Sequence, residues 1–337
     1  MAMSIEGYAA YAAKERLRPF SYPEPGRMAP MEVLVKISHC GICHSDIHLI
    51  DNDWRVSRYP LVPGHEIIGI VEKMGTHVRG LKFGQRVGVG WQAGSCGHCE
   101  WCKGEEENLC PDDVATALGH YGGFAQKVVV DSRFAFPIPP ALRSQNAAPL
   151  LCGGVTVFSP LRRLVARGQK VGVVGIGGLG HLALQFARVL GYEVTAFSHS
   201  PDKEKEAKRF GAHRFVDSTR KNDLAKLTRS FDFILITSYV KLDWTAYLAM
   251  LRPNGRLIVV GAVNEPLEIP SGAIISGQKG VVASVIGSRR MIKDMLGFAA
   301  RHNIEAQTEV LPLAQVNAAL DKVRRNEARY RMVLEVS

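Results

Sequence analysis

The chain of 337 residues is 46% hydrophobic and 22% charged, a composition that fills about two domains and excludes a disordered tail or a disulfide-stapled miniprotein. Lys and Arg number 42 against 32 Asp and Glu, a formal +10, so an anionic partner such as nucleic acid, a membrane surface or phosphate stays open at first. No apolar stretch approaches the roughly 20 residues of a membrane span, and MAMSIEGYAAYAAKERLRPF lacks the apolar core of a secretory signal, so the expected compartment is a reducing cytoplasm.

Up to about residue 150, short β-like runs broken by Gly and Pro (MEVLVKIS, HEIIGIVEKM, QRVGVGW, GFAQKVVVD) predict a meandering antiparallel domain. Within it lie Cys43 in CGICHSD and His65 with Glu66 in PGHEIIG, and just beyond it Cys152 in PLLCGG. Each alone reads as a buried small residue or a satisfied histidine. Together they offer two thiolates and one imidazole, the ligand set of a catalytic zinc that keeps its fourth position for water or a substrate oxygen. Cys40, three residues before Cys43, is left over and reads as a buried structural residue.

Between these elements, CGHCEWCKGEEENLC sets Cys96, Cys99, Cys102 and Cys110 at intervals of three, three and eight. Four thiolates on one short lobe close a tetrahedral shell around zinc, as a structural site requires. A nucleic-acid-gripping zinc ribbon is the rival reading, and Glu100, Glu105, Glu106 and Glu107 oppose it by placing negative charge on the lobe. Trp54, Trp91 and Gln92 read equally as pocket, core or interface residues.

From about 153 to 287 apolar strands alternate with helical periodicity, which predicts βαβ units. The strands begin KVGVVG, EVTAFS, HRFVDS, FDFILIT, RLIVVGA and VVASVIG, six in all, enough for a doubly wound α/β sheet. The first runs into GIGGLGH, a glycine turn opening a helix. Gly175 permits the turn, Gly177 lets a pyrophosphate approach, Gly180 packs the helix closely, and Gly178 and Leu179 complete the loop. At the end of the second strand an NAD enzyme places a carboxylate for the ribose 2′-hydroxyl; Ser198 stands there, followed by His199, Ser200 and Lys203. These donors and this positive charge favour NADP(H), against the alternative of an ordinary solvated turn. After Gly287, SRRMIKDMLGFAARHN reads as one helix and ARYRMVLEV as a strand that rejoins the first domain's sheet.

These motifs resemble the zinc-containing medium-chain alcohol dehydrogenases, within them the cinnamyl-alcohol-dehydrogenase-like branch, and most nearly its bacterial NADPH-dependent broad-range aldehyde reductases. The resemblance extends through CGICHSD, YPLVPGHEIIG, CGHCEWC, PLLCGGVTVF, GIGGLGH, VGAV and ARYRMVL. It implies a Rossmann doubly wound parallel sheet over 153–287 and a mainly β, GroES-like catalytic domain made of 1–152 and 288–337, with the structural zinc lobe at 94–112. It implies two Zn²⁺ per chain, NADP(H), a small aldehyde or alcohol as substrate, a homodimer paired near VVASVIG, and neither nucleic acid nor membrane as partner. By the same resemblance Cys43, His65 and Cys152 bind the catalytic zinc with Glu66 as a nearby or transient ligand, and Asp46 orients His65. Ser45 bonds the substrate oxygen and passes its proton through the cofactor ribose towards His48. His44 and Arg331 face the pyrophosphate, and Thr156 lies near the nicotinamide. The stretch between Cys110 and GGFAQKVVVD is shorter than in plant-like members, which argues against a strict preference for cinnamyl substrates. Two rivals stand beside this reading: an NAD-dependent polyol or secondary-alcohol dehydrogenase of the same fold, and a non-catalytic NADPH-binding zinc protein.

Overall fold

A computed structural model describes residues 3–261 and 265–336. The chain forms two compact units, Met1–Val155 with Gly287–Ser337, and Thr156–Ile286.

The first unit is built on the strand Glu32–Ile42, which pairs antiparallel with Glu66–Met74, with Lys127–Asp131 and with the C-terminal strand Arg331–Glu335. Val33, Leu34 and Val35 are consecutive and all fully buried, so this strand is covered on both faces and shows no polar alternation there. The last strand joins it with Met332 opposite Ile42, the return to the first sheet that the sequence predicts. Sequence reading missed the strand Thr308–Pro312, which lies parallel to Arg331–Glu335 at the sheet's edge and is only half-buried, so it carries no strong apolar pattern. GFAQKVVVD is strand only from Lys127. The glycines before it serve close approach instead, because a Cβ at Gly123 would press on Ile67 and on the sulfur of Cys40. Cys40 is fully buried, in keeping with its structural reading.

The helix Arg289–His302 also belongs to this unit. Ser288 caps it by accepting the Met291 N–H at 3.4 Å, Asn303 ends it in the left-handed conformation, and Ile292, Met295, Leu296 and Ala299 form its buried stripe.

The second unit is a six-stranded parallel sheet of Lys170–Val174, Glu193–Ser198, Arg214–Asp217, Phe231–Ile236, Leu251–Val259 and Gly280–Ala283. Its spatial order is third, second, first, fourth, fifth, sixth, the doubly wound arrangement. In sheets of this kind ligands bind where the winding reverses, here beyond the carboxyl end of Lys170–Val174. There Gly175 takes φ +90°, and a Cβ at Gly180 would collide with the Gly175 carbonyl oxygen, so both glycines are required by the turn itself. Residues 262 and 263, which end the RLIVVGA and VGAV stretches, lie outside the described residues.

Candidate active site and metal centres

Ligand atoms of Cys43, His65, Glu66 and Cys152 lie within 4.8 Å of one another. The donor set fits zinc: Cys152 Sγ stands 3.9 Å from Cys43 Sγ and 3.3 Å from His65 Nε2. Tetrahedral zinc with 2.3 Å Zn–S bonds requires a sulfur–sulfur edge of about 3.8 Å. Local structure aims these groups. Asp46, in the first turn of the helix His44–Asp51, accepts the Cys43 N–H at 2.8 Å, the Gly64 N–H at 3.0 Å and the His65 Nδ1–H at 2.9 Å. That last bond leaves His65 Nε2 free to bind a metal. Burial opposes a charged His65, but the Asp46 carboxylate outweighs it and holds the imidazole's pKa well above its ordinary value. The Cys43 thiol is held well below its ordinary range by the hydrogen bond from Cys152, with His65 and Arg331 adding to the effect.

Arg331, read from sequence as a cofactor contact, is buried and ion-paired with Glu66. Its Nε and the Oε2 of Glu66 are buried atoms with no protein partner, so each keeps one unspent valence. Burial raises the Glu66 carboxyl to about 7 against the pull of Arg331.

Ser45 Oγ lies 3.7 Å from Cys43 Sγ. Three residues on, His48 is buried, and its Nδ1 is 2.7 Å from Asp53 Oδ2. Sequence reading passed over Asp53, because no local pattern signals that the chain beyond the helix turns back on His48. His44 is half-buried, its ring centroid 6.1 Å from that of His48. Two indoles flank this group: Trp54 lies 5.1 Å from His48, Trp91 meets His65 edge-on at 5.0 Å, and the two are 6.3 Å apart. Gln92 is different, being buried with its amide donating to the Glu107 carbonyl at 2.8 Å.

The second cluster joins Cys96, Cys99, Cys102 and Cys110. Cys96 Sγ is 3.8 Å from that of Cys102 and 3.6 Å from that of Cys110, again edges of a zinc tetrahedron. Backbone N–H groups of Cys99 and Cys102 point at the sulfurs of Cys96 and Cys99, both at 3.4 Å. Glu107, between the third and fourth cysteines, is buried and pairs with Arg289, while Glu105 pairs with Arg290 at 2.9 Å. The lobe's acidic run is thus partly spent on the start of the helix Arg289–His302.

In the second unit a Cβ at Gly177 would meet nothing within 4 Å, so packing of the chain leaves the space above this residue open. Gly178 and Leu179 follow it into the helix Gly180–Val189. Ser198 ends its strand, buried, its Oγ accepting the Ser200 N–H at 3.1 Å. His199 is exposed and Ser200 half-buried. Lys203 Nζ donates to the Ile176 carbonyl at 2.9 Å, which carries the ammonium to the glycine turn. Asp217 stands opposite Ser198 on the neighbouring strand, a carboxylate that strand pairing places there. Thr156 is buried.

Residues 29–140 match the alcohol dehydrogenase GroES-like domain family, and residues 178–301 match the zinc-binding dehydrogenase family. The chain is 43% identical over 334 residues to an aldehyde reductase of Synechocystis sp., covering 99% of both chains. It is 40% identical to a probable cinnamyl alcohol dehydrogenase of Oryza sativa subsp. japonica, covering 99% of this chain and 96% of that one. Among solved structures it resembles a cinnamyl alcohol dehydrogenase of Sorghum bicolor, with TM-score 0.95, 39% identity and coverage of 99% and 98%. It also resembles the Helicobacter pylori CAD complexed with NADP(H), with TM-score 0.92, 32% identity and coverage of 99% of both chains.

Proposed function

The chain belongs to the zinc-binding alcohol dehydrogenase family and is an oxidoreductase of the alcohol and aldehyde dehydrogenase kind, and from that premise we propose an NADPH-linked aldehyde reductase that yields primary alcohols. The observation that carries the reading is the pair of cysteine clusters: four thiols in one, and in the other two thiols and an imidazole, which leave a position for a substrate oxygen.

In this reading each chain holds two zinc ions, in these two clusters. When bound, the catalytic zinc supplies Lewis-acid polarisation of a carbonyl oxygen, and the reduced nicotinamide supplies the hydride. Cys43, Cys152 and His65 Nε2 hold the metal, and Asp46 fixes the tautomer of His65. Glu66 Oε2 is the unspent oxygen beside them, available as a transient ligand. Ser45 Oγ holds the proton that the substrate oxygen acquires. His48, whose Nδ1–H is bound by Asp53, is the outer proton store, with Nε2 as the exchanging atom. In the second unit the open backbone at Gly177 suits a pyrophosphate, and Thr156 is the residue proposed for the nicotinamide. Trp54 and Trp91 give the metal site an aromatic wall that accepts both slender aliphatic and flat aromatic aldehydes.

Ser45→Ala is expected to lower the rate of NADPH-dependent aldehyde reduction about 10²-fold, with zinc content and NADPH affinity unchanged. Full activity in that variant refutes the proton role.

NADP(H) preference rests on Ser198, Ser200 and Lys203 as phosphate partners. Asp217 is the opposing feature, a carboxylate one strand away. Ser198→Asp should cut the ratio of kcat/KM for NADPH over NADH by about 10²-fold, since a like-charge contact with the 2′-phosphate costs several kcal/mol. An unchanged ratio, or a wild-type enzyme that prefers NADH, overturns the assignment.

A further inference from the structure

The parallel sheet sets a carboxylate beside the residues that suit a 2′-phosphate. Asp217 ends the strand Arg214–Asp217 directly opposite Ser198, and register partners on neighbouring strands project from the same face of the sheet. The chain after Asp217 is tied to the same place, since the Ser218 N–H donates to the Ser198 carbonyl at 2.9 Å. A bare negative charge here repels a phosphate held by Ser198, Ser200 and Lys203.

That charge is not left bare. Oδ1 of Asp217 accepts the Thr219 N–H at 3.0 Å and the Thr219 hydroxyl at 2.7 Å, and Oδ2 lies 3.3 Å from Nε of Arg220. The Thr219 bonds first, and Arg220 after them, hold the carboxyl below its ordinary pKa, so the group stays an anion. Neutral Thr219 donors leave the net negative charge in place; Arg220 is the cation that cancels it. The other carboxylate acting on this arginine, Asp223, has its own cation in Lys226 at 2.8 Å. The Arg220 side chain is 70% exposed, and an ion pair so open to water adds little to stability. Its charge balance is felt instead by an anion that docks beside it.

We propose that Arg220 is a specificity-determining residue for the cofactor: it cancels the Asp217 charge and so admits a 2′-phosphate next to Ser198. The inference rests on the NADP(H) reading above and adds the residue that makes Asp217 compatible with it. NADH carries no phosphate there, so its binding does not depend on the pair.

The test measures dissociation constants of NADPH and NADH by calorimetry for zinc-loaded, full-length wild type, Arg220→Gln, Asp217→Asn and the double variant. Glutamine removes the charge and no capping bond, because the Arg220 side chain makes none, and asparagine keeps an Oδ1 acceptor for Thr219. Arg220→Gln is expected to weaken NADPH about tenfold at low salt, the scale of one uncancelled charge near a phosphate, and to leave NADH within about twofold. The loss should shrink at about 0.5 M salt, as screening requires. Adding Asp217→Asn to Arg220→Gln should return NADPH affinity to within about twofold of wild type, and Asp217→Asn alone should not weaken it. If the double variant stays as weak as Arg220→Gln, the arginine binds phosphate directly and the masking role is refuted. Equal losses of NADPH and NADH, a loss insensitive to salt, or no loss also overturn the proposal. A wild-type protein that binds NADH more tightly than NADPH fails the NADP(H) reading itself and this inference with it, whereas a wild-type preference for NADPH combined with any of the earlier outcomes fails the inference alone.

Discussion

If each chain holds two zinc ions as proposed, replacing Cys43 by alanine is expected to remove one of them and to lower aldehyde turnover about 10³-fold or more. Lewis-acid stabilisation of the developing oxyanion contributes several kcal/mol, and each 1.4 kcal/mol or so is a tenfold rate. Without Cys43 the cluster keeps one thiol, one imidazole and a carboxylate already engaged by Arg331, too little for tight zinc binding. Cys43 is also the N-cap residue of the helix His44–Asp51, but the capping bond it makes runs from its backbone N–H to Asp46 Oδ2 at 2.8 Å, which alanine keeps. Cys43→Ser adds a control that keeps the residue's size and polarity while binding zinc poorly. Metal analysis, thermal melting and NADPH oxidation on both variants decide the matter. Wild-type zinc content in Cys43→Ala, with turnover within tenfold, sinks the ligand assignment.

The second large effect is on stability. Cys102→Ser should release the other zinc and unfold the lobe around it while the remaining zinc stays in place. The lobe has almost no core of its own: its regular structure is limited to Glu100–Lys103 and Glu107–Leu109, and Trp101 and Leu109 are exposed. Metal coordination is then the main source of its folding free energy. Its attachments fall with it, since the buried Glu107 that pairs with Arg289, and the Glu107 carbonyl that receives the Gln92 amide, sit between two ligands. Releasing Arg289 leaves the first turn of the helix Arg289–His302 unbraced. A loss of about 3 kcal/mol or more, read as a fall in Tm of roughly 5–10 °C, is expected. Hydrogen exchange should quicken first over 94–112 and next at the start of that helix. If the metal leaves and Tm does not move, the lobe is not held by zinc.

Both predictions begin from motifs that the sequence displays openly. The four-cysteine lobe is legible because all its ligands lie within one short loop, where spacing alone limits geometry. The glycine turn and the six strands are legible for a related reason: turn and strand preferences are local, and a buried parallel strand announces itself by an unbroken apolar run. His48 is named from sequence only through the family resemblance around Cys43; the helix His44–Asp51 that follows Cys43 is what the structure adds. Asp53 was missed although it is close in sequence, since nothing in the local pattern says that the chain after Asn52, itself left-handed at φ 58°, turns back on the helix.

Other parts of the site exist only in the folded sheet. Glu66 and Arg331 are 265 residues apart, yet their strands lie on either side of Glu32–Ile42, with Glu66 and Val333 both opposite Gly41. Gly41 has no side chain, and a Cβ there would run into the Glu66 carboxylate; the bare backbone is what lets the buried acid sit where Arg331 reaches it. Likewise Asp217 faces Ser198 only because the third strand of the parallel sheet lands beside the second in that register. The amino-acid sequence by itself determined the ligand types, their local spacing and the two sheet classes, because these follow from interactions within a few residues. Tertiary structure alone decided which distant charges meet, because strand register is set by the packing of the whole sheet and not by any segment within it.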